Sequence, residues 1–328
     1  MKPIDKTPLV SVIIPNYNYA RFLKARIDSI LAQSVKDIEI ILLDDASSDD
    51  SASVMREYAA SPTVAHIVVN DTNSGSPFAQ WLKGVALARG KYIWIAEADD
   101  LATPQFLEKA LIPLENDPRC LLSFSGSVCI DDDGAPCGID HDRWNERRAP
   151  ASGYAIYDGE EYIRHNLYWR CYIYNASGAL WRRDAFRHVA PYADRILTMR
   201  NSGDWLFWTI LAANGRVAEI YDRTNRFRIH HGSATIAGRR SGRLVEEDME
   251  VVECAERLVC IDTLRKTIRH GGLYKNIRRI AEPAERERLR RKYISMFGSP
   301  HLPFITDRVI KPLAPALRFL PSERNDRL

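Results

Sequence analysis

The sequence predicts an α/β protein: a Rossmann-like, mostly parallel central sheet with flanking helices, plus a C-terminal helical extension. Three observations predict it. Short β-branched apolar runs alternate with helically spaced apolar residues through the first hundred positions, the pattern of βαβ units. Each run stops abruptly in polar or acidic residues. Beyond Gly238 the apolar spacing turns helical throughout, with many arginines opposite. These patterns place a sheet domain over residues 1–240, in halves 1–112 and 113–240, and a basic extension over 241–328.

The first strand is Leu9 to Ile14, closed by Pro15, and the loop Asn16-Tyr17-Asn18-Tyr19 comes after it. Phe22, Leu23, Ile27, Ile30 and Leu31 mark the next helix. Ile38 to Leu43 is a second buried strand, ending in Asp44 and Asp45, and its helix carries Val54, Met55 and Tyr58. Val64 to Val69 is the third, ending in the loop Asn70 to Ser76. Helix Phe78 to Arg89 leads into Lys91-Tyr-Ile-Trp-Ile-Ala-Glu-Ala-Asp-Asp100, an apolar strand that ends in three carboxylates. Four strand ends thus gather at one sheet edge, where open α/β sheets bind ligands.

Chemistry suggests uses for these ends. Clustered carboxylates repel, so Glu97, Asp99 and Asp100 call for a cation or donors, and acidic oxygens favour Mg²⁺ or Mn²⁺ over zinc. The plainer alternative is a solvated acidic turn before a helix capped at Thr103. Asp45 can accept the imide N–H of uracil or thymine, and Tyr17 can stack on such a base. Neither G-x-G-x-x-G nor G-x-x-x-x-G-K-[ST] occurs, so phosphates would be held by metal and side chains rather than by a glycine cradle.

Further along, Leu121 to Ile130 is an apolar segment and Asp131 to Gly134 an acidic turn. His141 to Pro150 is a polar loop with the composition of a lid or acceptor contact. Tyr154 to Asn166 has helical spacing with Asp158 as cap, and Cys171 to Trp181 has strand character. In Asn201-Ser-Gly-Asp-Trp-Leu-Phe-Trp208, Gly203 precedes an aromatic helix, and Asp204 sits in its first turn, where it is either a cap or a base. Val217 to Tyr221 and Arg226 to Ile229 suggest two short strands. His230 and His231 come next, and Gly271-Gly272 is expected to break the C-terminal helix.

At 328 residues, with 45% hydrophobic and 27% charged residues, the composition is that of an ordinary globular protein. Net charge is +3, too balanced to point to nucleic acid, but Arg and Lys crowd the last quarter, which suits an anionic partner. No apolar run approaches the roughly 18 residues of a spanning helix, and the start does not read as a signal peptide. Six cysteines without C-x-x-C spacing suit reduced core thiols in a cytoplasmic protein.

VSVIIPNYN, IEIILLDDASSDDS, NDTNSG and ARGKYIWIAEADD, in that order, resemble the nucleotide-sugar-binding half of the family 2 glycosyltransferases of the GT-A fold. The resemblance implies a metal-dependent enzyme of bacterial surface-polysaccharide or lipopolysaccharide type. It would move a sugar, with inversion, from a nucleotide-diphosphate donor (UDP- or dTDP-sugar favoured) to a hydroxyl of a glycan or lipid-linked glycan. Nucleotide contacts would fall at Pro15, Tyr17, Asp44, Asp45, Asn73 and Lys83. Mn²⁺ or Mg²⁺ would be held by Glu97, Asp99, Asp100 and His230, with Arg228 and His231 near the diphosphate and Asp204 as catalytic base. NASGALWRRDAF resembles the segment under the donor sugar. Two departures stand out: D-x-D is replaced by Glu97-Ala98-Asp99, and an arginine-bearing motif by Phe78-Ala79-Gln80-Trp81. The alternatives are a sugar-nucleotide nucleotidyltransferase and a non-catalytic sugar-nucleotide or glycan-binding module. The basic tail suggests peripheral contact with the cytoplasmic face of the inner membrane.

Overall fold

The structure is a computed structural model that describes residues 7–139, 150–230 and 242–310. The chain divides into two compact units. One comprises Met1–Tyr157, Ile173–Thr198 and Gly215–His230; the other comprises Asp158–Tyr172, Met199–Asn214 and His231–Leu328.

The first unit is built on a nine-stranded sheet ordered β3-β2-β1-β4-β8-β6-β9-β5, with β7 also paired to β9. Strands β1 (Val10–Asn16), β2 (Ile38–Asp44), β3 (Val64–Val69) and β4 (Tyr92–Ile95) are mutually parallel. Helices α1 (Ala20–Leu31), α2 (Ser51–Glu57) and α3 (Pro77–Leu87) connect them, as right-handed crossovers require. Every residue of β1 and β2 is buried, which explains their unbroken apolar character. Trp94 stacks on Phe106 of α4 (Phe106–Asn116) with ring centroids 4.5 Å apart. Leu23, Ile27 and Ile30 of α1 complete that core.

Beyond β4 the sheet becomes mixed. The short β5 (Leu101–Ala102) runs antiparallel to β9 (Arg216–Arg228), while β6 (Cys120–Ile130) is parallel to β9 and antiparallel to β8 (Ala179–Arg182). Two strands expected over Val217–Tyr221 and Arg226–Ile229 are therefore one, because its register against β6 shifts between Ser125 and Ser127 and pairing resumes beyond. Tyr154–Asp158 is strand β7 rather than the start of a helix, since it finds an edge on β9. Asp158 still caps the helix after it, α5 (Gly159–Tyr162), by accepting from the amides of Glu160 and Glu161. Of the strand expected over Cys171–Trp181 only the end forms, after a 3₁₀ turn at Ala176–Gly178. The acidic turn closes as expected, with Gly134 at φ +86° and its amide on the Asp131 carbonyl. Short α6 (Phe186–Val189) and α7 (Ala193–Thr198) end the unit's helical part.

The second unit is helical. It contains α5, a π-turn at Ile163–Leu167, α8 (Gly203–Ala213), α9 (Gly242–Leu258), α10 (Thr263–Arg278), α11 (Pro283–Phe297) and α12 (His301–Ile310). Gly271-Gly272 does not break the helix. A Cβ at Gly271 would collide with the Pro303 carbonyl and Asp307 of α12, so glycine serves close helix packing there. The chain turns instead at Cys260–Asp262, and Asp262 caps α10 through the Arg265 amide. The cysteines are not all core: Cys260 is exposed.

An ion pair between a buried carboxylate and a half-exposed guanidinium ties the sheet to the end of α3. Glu39, fully buried on β2, accepts from Ser11 Oγ (2.6 Å), the Arg89 amide (2.8 Å) and the Arg89 guanidinium (2.9 and 2.7 Å). Burial pushes this carboxyl up, but the Ser11 and Arg89 bonds outweigh it and hold it below the ordinary range. The stabilisation is thus present above the unfolded carboxyl pKa and lost as pH falls through the folded one. Arg89→Met, which leaves Glu39 only the Ser11 hydroxyl and the backbone amide, is expected to cost about 1.5 kcal/mol at neutral pH. Urea unfolding should show the deficit shrinking as the medium is acidified.

Candidate active site

The carboxyl ends of β1, β2 and β3 lock one another into a rim. The Asp45 amide bonds the Asn16 carbonyl and the Asn70 amide the Asp44 carbonyl, each at 2.9 Å. Asp44 is fully buried, and its oxygens are taken by Asn16 Nδ2 (2.7 Å), Ser47 Oγ (2.6 Å) and the Ser47 amide (2.9 Å). These bonds make Asp44 a support of the loop. Pro15, expected like Asp44 to contact the nucleotide, is buried within β1. Asn18 and Ala46 both adopt positive φ (58° and 59°). Asn18 is held by Ser47 and Ser48, and the side chain of Asp49 caps the first amide of α1. For alanine that conformation is strained, and such strain survives only where surrounding bonds enforce it.

Asp45 sits at the centre of this rim. Its Oδ1 accepts from Asn70 Nδ2 (2.7 Å), Gln80 Nε2 (2.7 Å) and the Ser74 amide (3.0 Å), whereas Oδ2 takes Ser74 Oγ (2.7 Å). Among the described residues Oδ2 therefore keeps acceptor capacity. Asn73 holds the Asp45 carbonyl at 3.0 Å. Lys83 bonds Asn70 Oδ1 at 2.5 Å and so steadies Asp45 indirectly. Tyr17 presents a half-exposed ring, 48% accessible.

The second rim lies at the end of β4. Glu97 accepts from Trp81 Nε1 (2.8 Å), and its amide is fixed by Ser177 Oγ (3.0 Å). Asp100 is buried, bonded by the Arg228 amide (2.8 Å) and Asn175 Nδ2 (2.9 Å); Asn175 is held in turn by Asn225. Asp99 Oδ2 lies 3.0 Å from His230 Nε2, and that ring packs between Tyr19 and Phe22 at 5.4 and 5.5 Å. Burial and the Asp99 charge push Glu97 up to about 8 and Asp100 up to about 6. Burial, then the same acids, pushes the Tyr19 hydroxyl well up. Two guanidiniums face these acids. Arg228 stacks over Phe22 (4.4 Å) and donates to the carbonyls of Asp99, Asp131 and Asp132, so it braces the rim rather than reaching for a diphosphate. Arg26 is wholly buried over Trp94 at 4.9 Å, and none of its guanidinium nitrogens has a hydrogen-bond partner among the described residues. Burial pulls it down to about 10 against the field of Asp100, Asp99 and Glu97.

Of the four expected metal ligands only Asp99 and His230 meet directly. Glu97 and Asp100 are held by other partners, and among the described residues no three His, Cys, Asp or Glu side chains gather as a metal cage. An oxygen and an imidazole still suit a cation that takes its remaining ligands from phosphate and water. The raised Glu97 and Asp100 mark a site where positive charge would be favoured. His231 and residues 141–149 lie outside the described residues.

Sequence reasoning missed Gln80, Trp81, Arg26, Asn175 and Ser177. The first two were visible only as a departure from the family motif, and that departure proves to be in use, with one residue on Asp45 and the other on Glu97.

In the second unit Asp204 occupies the first turn of α8, an otherwise buried aromatic helix anchored by Trp205 Nε1 on the Leu167 carbonyl (2.7 Å). Its carboxylate accepts from the Trp205 amide (2.7 Å), with the Cys171 thiol 3.9 Å away. Burial pushes it up to about 7 against those bonds.

A parallel half-sheet with a polar rim and an acidic rim, continued by mixed strands, defines the GT-A class of α/β fold. The same architecture recurs in the crystal structure of S. aureus TarS 1-349, which aligns over 97% of this chain and 88% of that one with a TM-score of 0.65 at 15% identity. Residues 11–190 match the model of glycosyl transferase family 2, more than half of the chain, and the protein belongs to that family. Among curated relatives, an uncharacterized glycosyltransferase of Methanocaldococcus jannaschii, MJ1057, is 39% identical over 40% of this chain and 45% of its own length. The putative teichuronic acid biosynthesis glycosyltransferase TuaG of Bacillus subtilis is 33% identical over 39% of this chain and 50% of its own. The match thus spans about half the length of these relatives.

Because folded Asp204 keeps its proton to about pH 7, whereas an unfolded aspartate loses it near pH 4, ionising it costs stability progressively between those values. Asp204→Asn is expected to melt higher than the wild type at pH 8. Calorimetry should find the gain fading as pH is lowered toward about 4.

Proposed function

We propose that the protein transfers a glycosyl group from a nucleoside-diphosphate donor to a hydroxyl of a glycan or lipid-linked glycan, with inversion. The observation that carries this reading is Asp45: three donors fill one oxygen and a single hydroxyl bonds the other, and the loop after β1 presents the half-exposed Tyr17 ring. A carboxylate so fixed, with acceptor capacity left on one oxygen, selects a base that presents an imide N–H, hence uracil or thymine. Crystals of TarS 1-349 in complex with UDP and with UDP-GlcNAc support a uridine donor for the shared fold. The name of TuaG supports a surface-polysaccharide setting.

The chain's own residues divide the work. Tyr17 stacks the base, Asp45 accepts its N–H, and Gln80, Ser74 and Asn70 keep Asp45 from turning. Asp99 and His230 would hold a divalent cation, Mn²⁺ or Mg²⁺, with Trp81 steadying Glu97 alongside. When bound, that ion supplies positive charge for the leaving diphosphate. Asp204 is assigned as the base that takes the acceptor's proton. The support is its position in the first turn of α8 and a carboxyl raised close to physiological pH, where a general base works best.

A thermal-shift titration tests the donor site. Nucleoside diphosphates should raise the melting temperature of the wild type, and Mn²⁺ should add to that shift; a ligand at 100 times its Kd stabilises by about 2.7 kcal/mol. Asp99→Ala is expected to keep the nucleotide shift and lose the Mn²⁺ increment together with turnover. Release of pyrophosphate instead of a nucleoside diphosphate would move the protein to nucleotidyl transfer.

We also propose peripheral contact of the second unit with an anionic membrane. No described helix is long and apolar enough to cross a bilayer. Yet Leu302, Ile305 and Val309, spaced three and four apart on α12, are 69%, 58% and 71% exposed, with Arg308 beside them. An exposed apolar stripe with a cation beside it suits the headgroup boundary. A Leu302→Asp/Ile305→Asp double variant should bind anionic vesicles about tenfold less than the wild type in co-sedimentation; equal binding would remove the idea.

A further inference from the structure

Immediately before α8 the backbone amides of Arg200, Asn201 and Ser202 all point at one side chain. Glu247 of α9 takes the Arg200 amide on Oε1 (2.8 Å) and the Asn201 and Ser202 amides on Oε2 (2.7 and 2.9 Å). Arg243, one turn earlier on α9, donates to Oε1 at 3.1 Å. The Glu247 side chain is 5% exposed. A buried carboxylate is tolerated at this cost in solvation only where donors surround it, and here three of them are consecutive backbone groups. Its neighbour Asp248 accepts from Ser202 Oγ at 3.3 Å. Ser202 is the N-cap of α8 but makes no side-chain cap bond, so the entry to this helix is held from α9 and not by the helix's own cap.

Asp204 stands two residues beyond the last of these amides. We propose that Glu247 is the positioning residue for Asp204: by clamping residues 200–202 it fixes the start of α8 and so the direction of the base, without touching substrate. This rests on the assignment of Asp204 as acceptor base. Only a carboxylate fits the arrangement, because both oxygens must accept; an amide would set its NH₂ against the amides of one side. The charge of Glu247 also adds to the burial that raises Asp204. Among the described residues the Cys171 thiol also faces that carboxylate at 3.9 Å, while Asp248 accepts from Ser202, Arg243 pairs with Glu247, and Arg269 lies over the Trp205 ring at 5.7 Å.

The test uses the full chain, its donor and its acceptor, and compares Glu247→Gln, Arg243→Met and Asp204→Asn with the wild type. Glu247→Gln, nearly isosteric, should remain folded and lose about 10²-fold in kcat, the effect of a misdirected reactive group, while the donor KM changes less than twofold. The acid limb of its kcat–pH profile should move to lower pH, since a negative charge near Asp204 is gone. Arg243→Met, which loosens only the Oε1 side, should show the same split in smaller measure and answers for Glu247→Gln if that variant does not fold. If Asp204→Asn is inactive while the other two keep the wild-type kcat and pH limb, or lose kcat and donor affinity together with no movement of the limb, the positioning role is wrong and the base assignment stands. If Asp204→Asn turns over normally, both fall.

Discussion

Carboxylates drawn to the edge of a buried sheet must each be matched by donors or cations, and most of the first unit's polar architecture answers that demand. Asp44 is met by Asn16 and Ser47, Asp45 by Asn70, Ser74 and Gln80, and Asp100 by Asn175 and the Arg228 amide. Unmatched, each would be a buried charge of several kcal/mol. Matched, they become rigid acceptors whose remaining capacity is directional. A sheet edge without a glycine-rich loop can thus still present fixed acceptors.

The acids after β4 are matched differently. Direct donors are fewer, and the field of Arg26 and Arg228 does part of the neutralising from a distance. Arg26 is the less usual of the two, since a guanidinium with no hydrogen-bond partner among the described residues is held in place by Trp94 beneath it and by three acids within its field. The residual preference for positive charge, visible in the raised Glu97 and Asp100, falls at the Asp99–His230 pair. Among the described residues these side chains form no closed cage.

The second unit repeats the principle with one acid. Glu247 collects three amides that precede α8, and the helix itself is almost wholly apolar. The N-cap Ser202 turns its hydroxyl to Asp248 and not to the helix, so the entry is secured by the neighbouring α9. Asp204 accepts from the Trp205 amide with a weak thiol contact beside it, and burial outweighs these bonds and keeps its carboxyl high.

The early strands and their order in the chain were legible from sequence because period is a local property, and Asp45, Asp99 and Asp204 stand at the element ends where the sequence put them. Where local signals failed, long-range pairing had decided. Tyr154–Asp158 became a strand because β9 offered it an edge, β9 stayed whole across a register shift in its pairing with β6, and Gly271 marks close packing against α12 instead of a break. The same holds for the site. Sequence alone determined which residue types stand at each strand end. Only tertiary structure decided that Asp44, Asp100 and Arg228 are spent as struts while Asp45 keeps a free acceptor, because that depends on which partners, dozens of residues away, fold within hydrogen-bond reach.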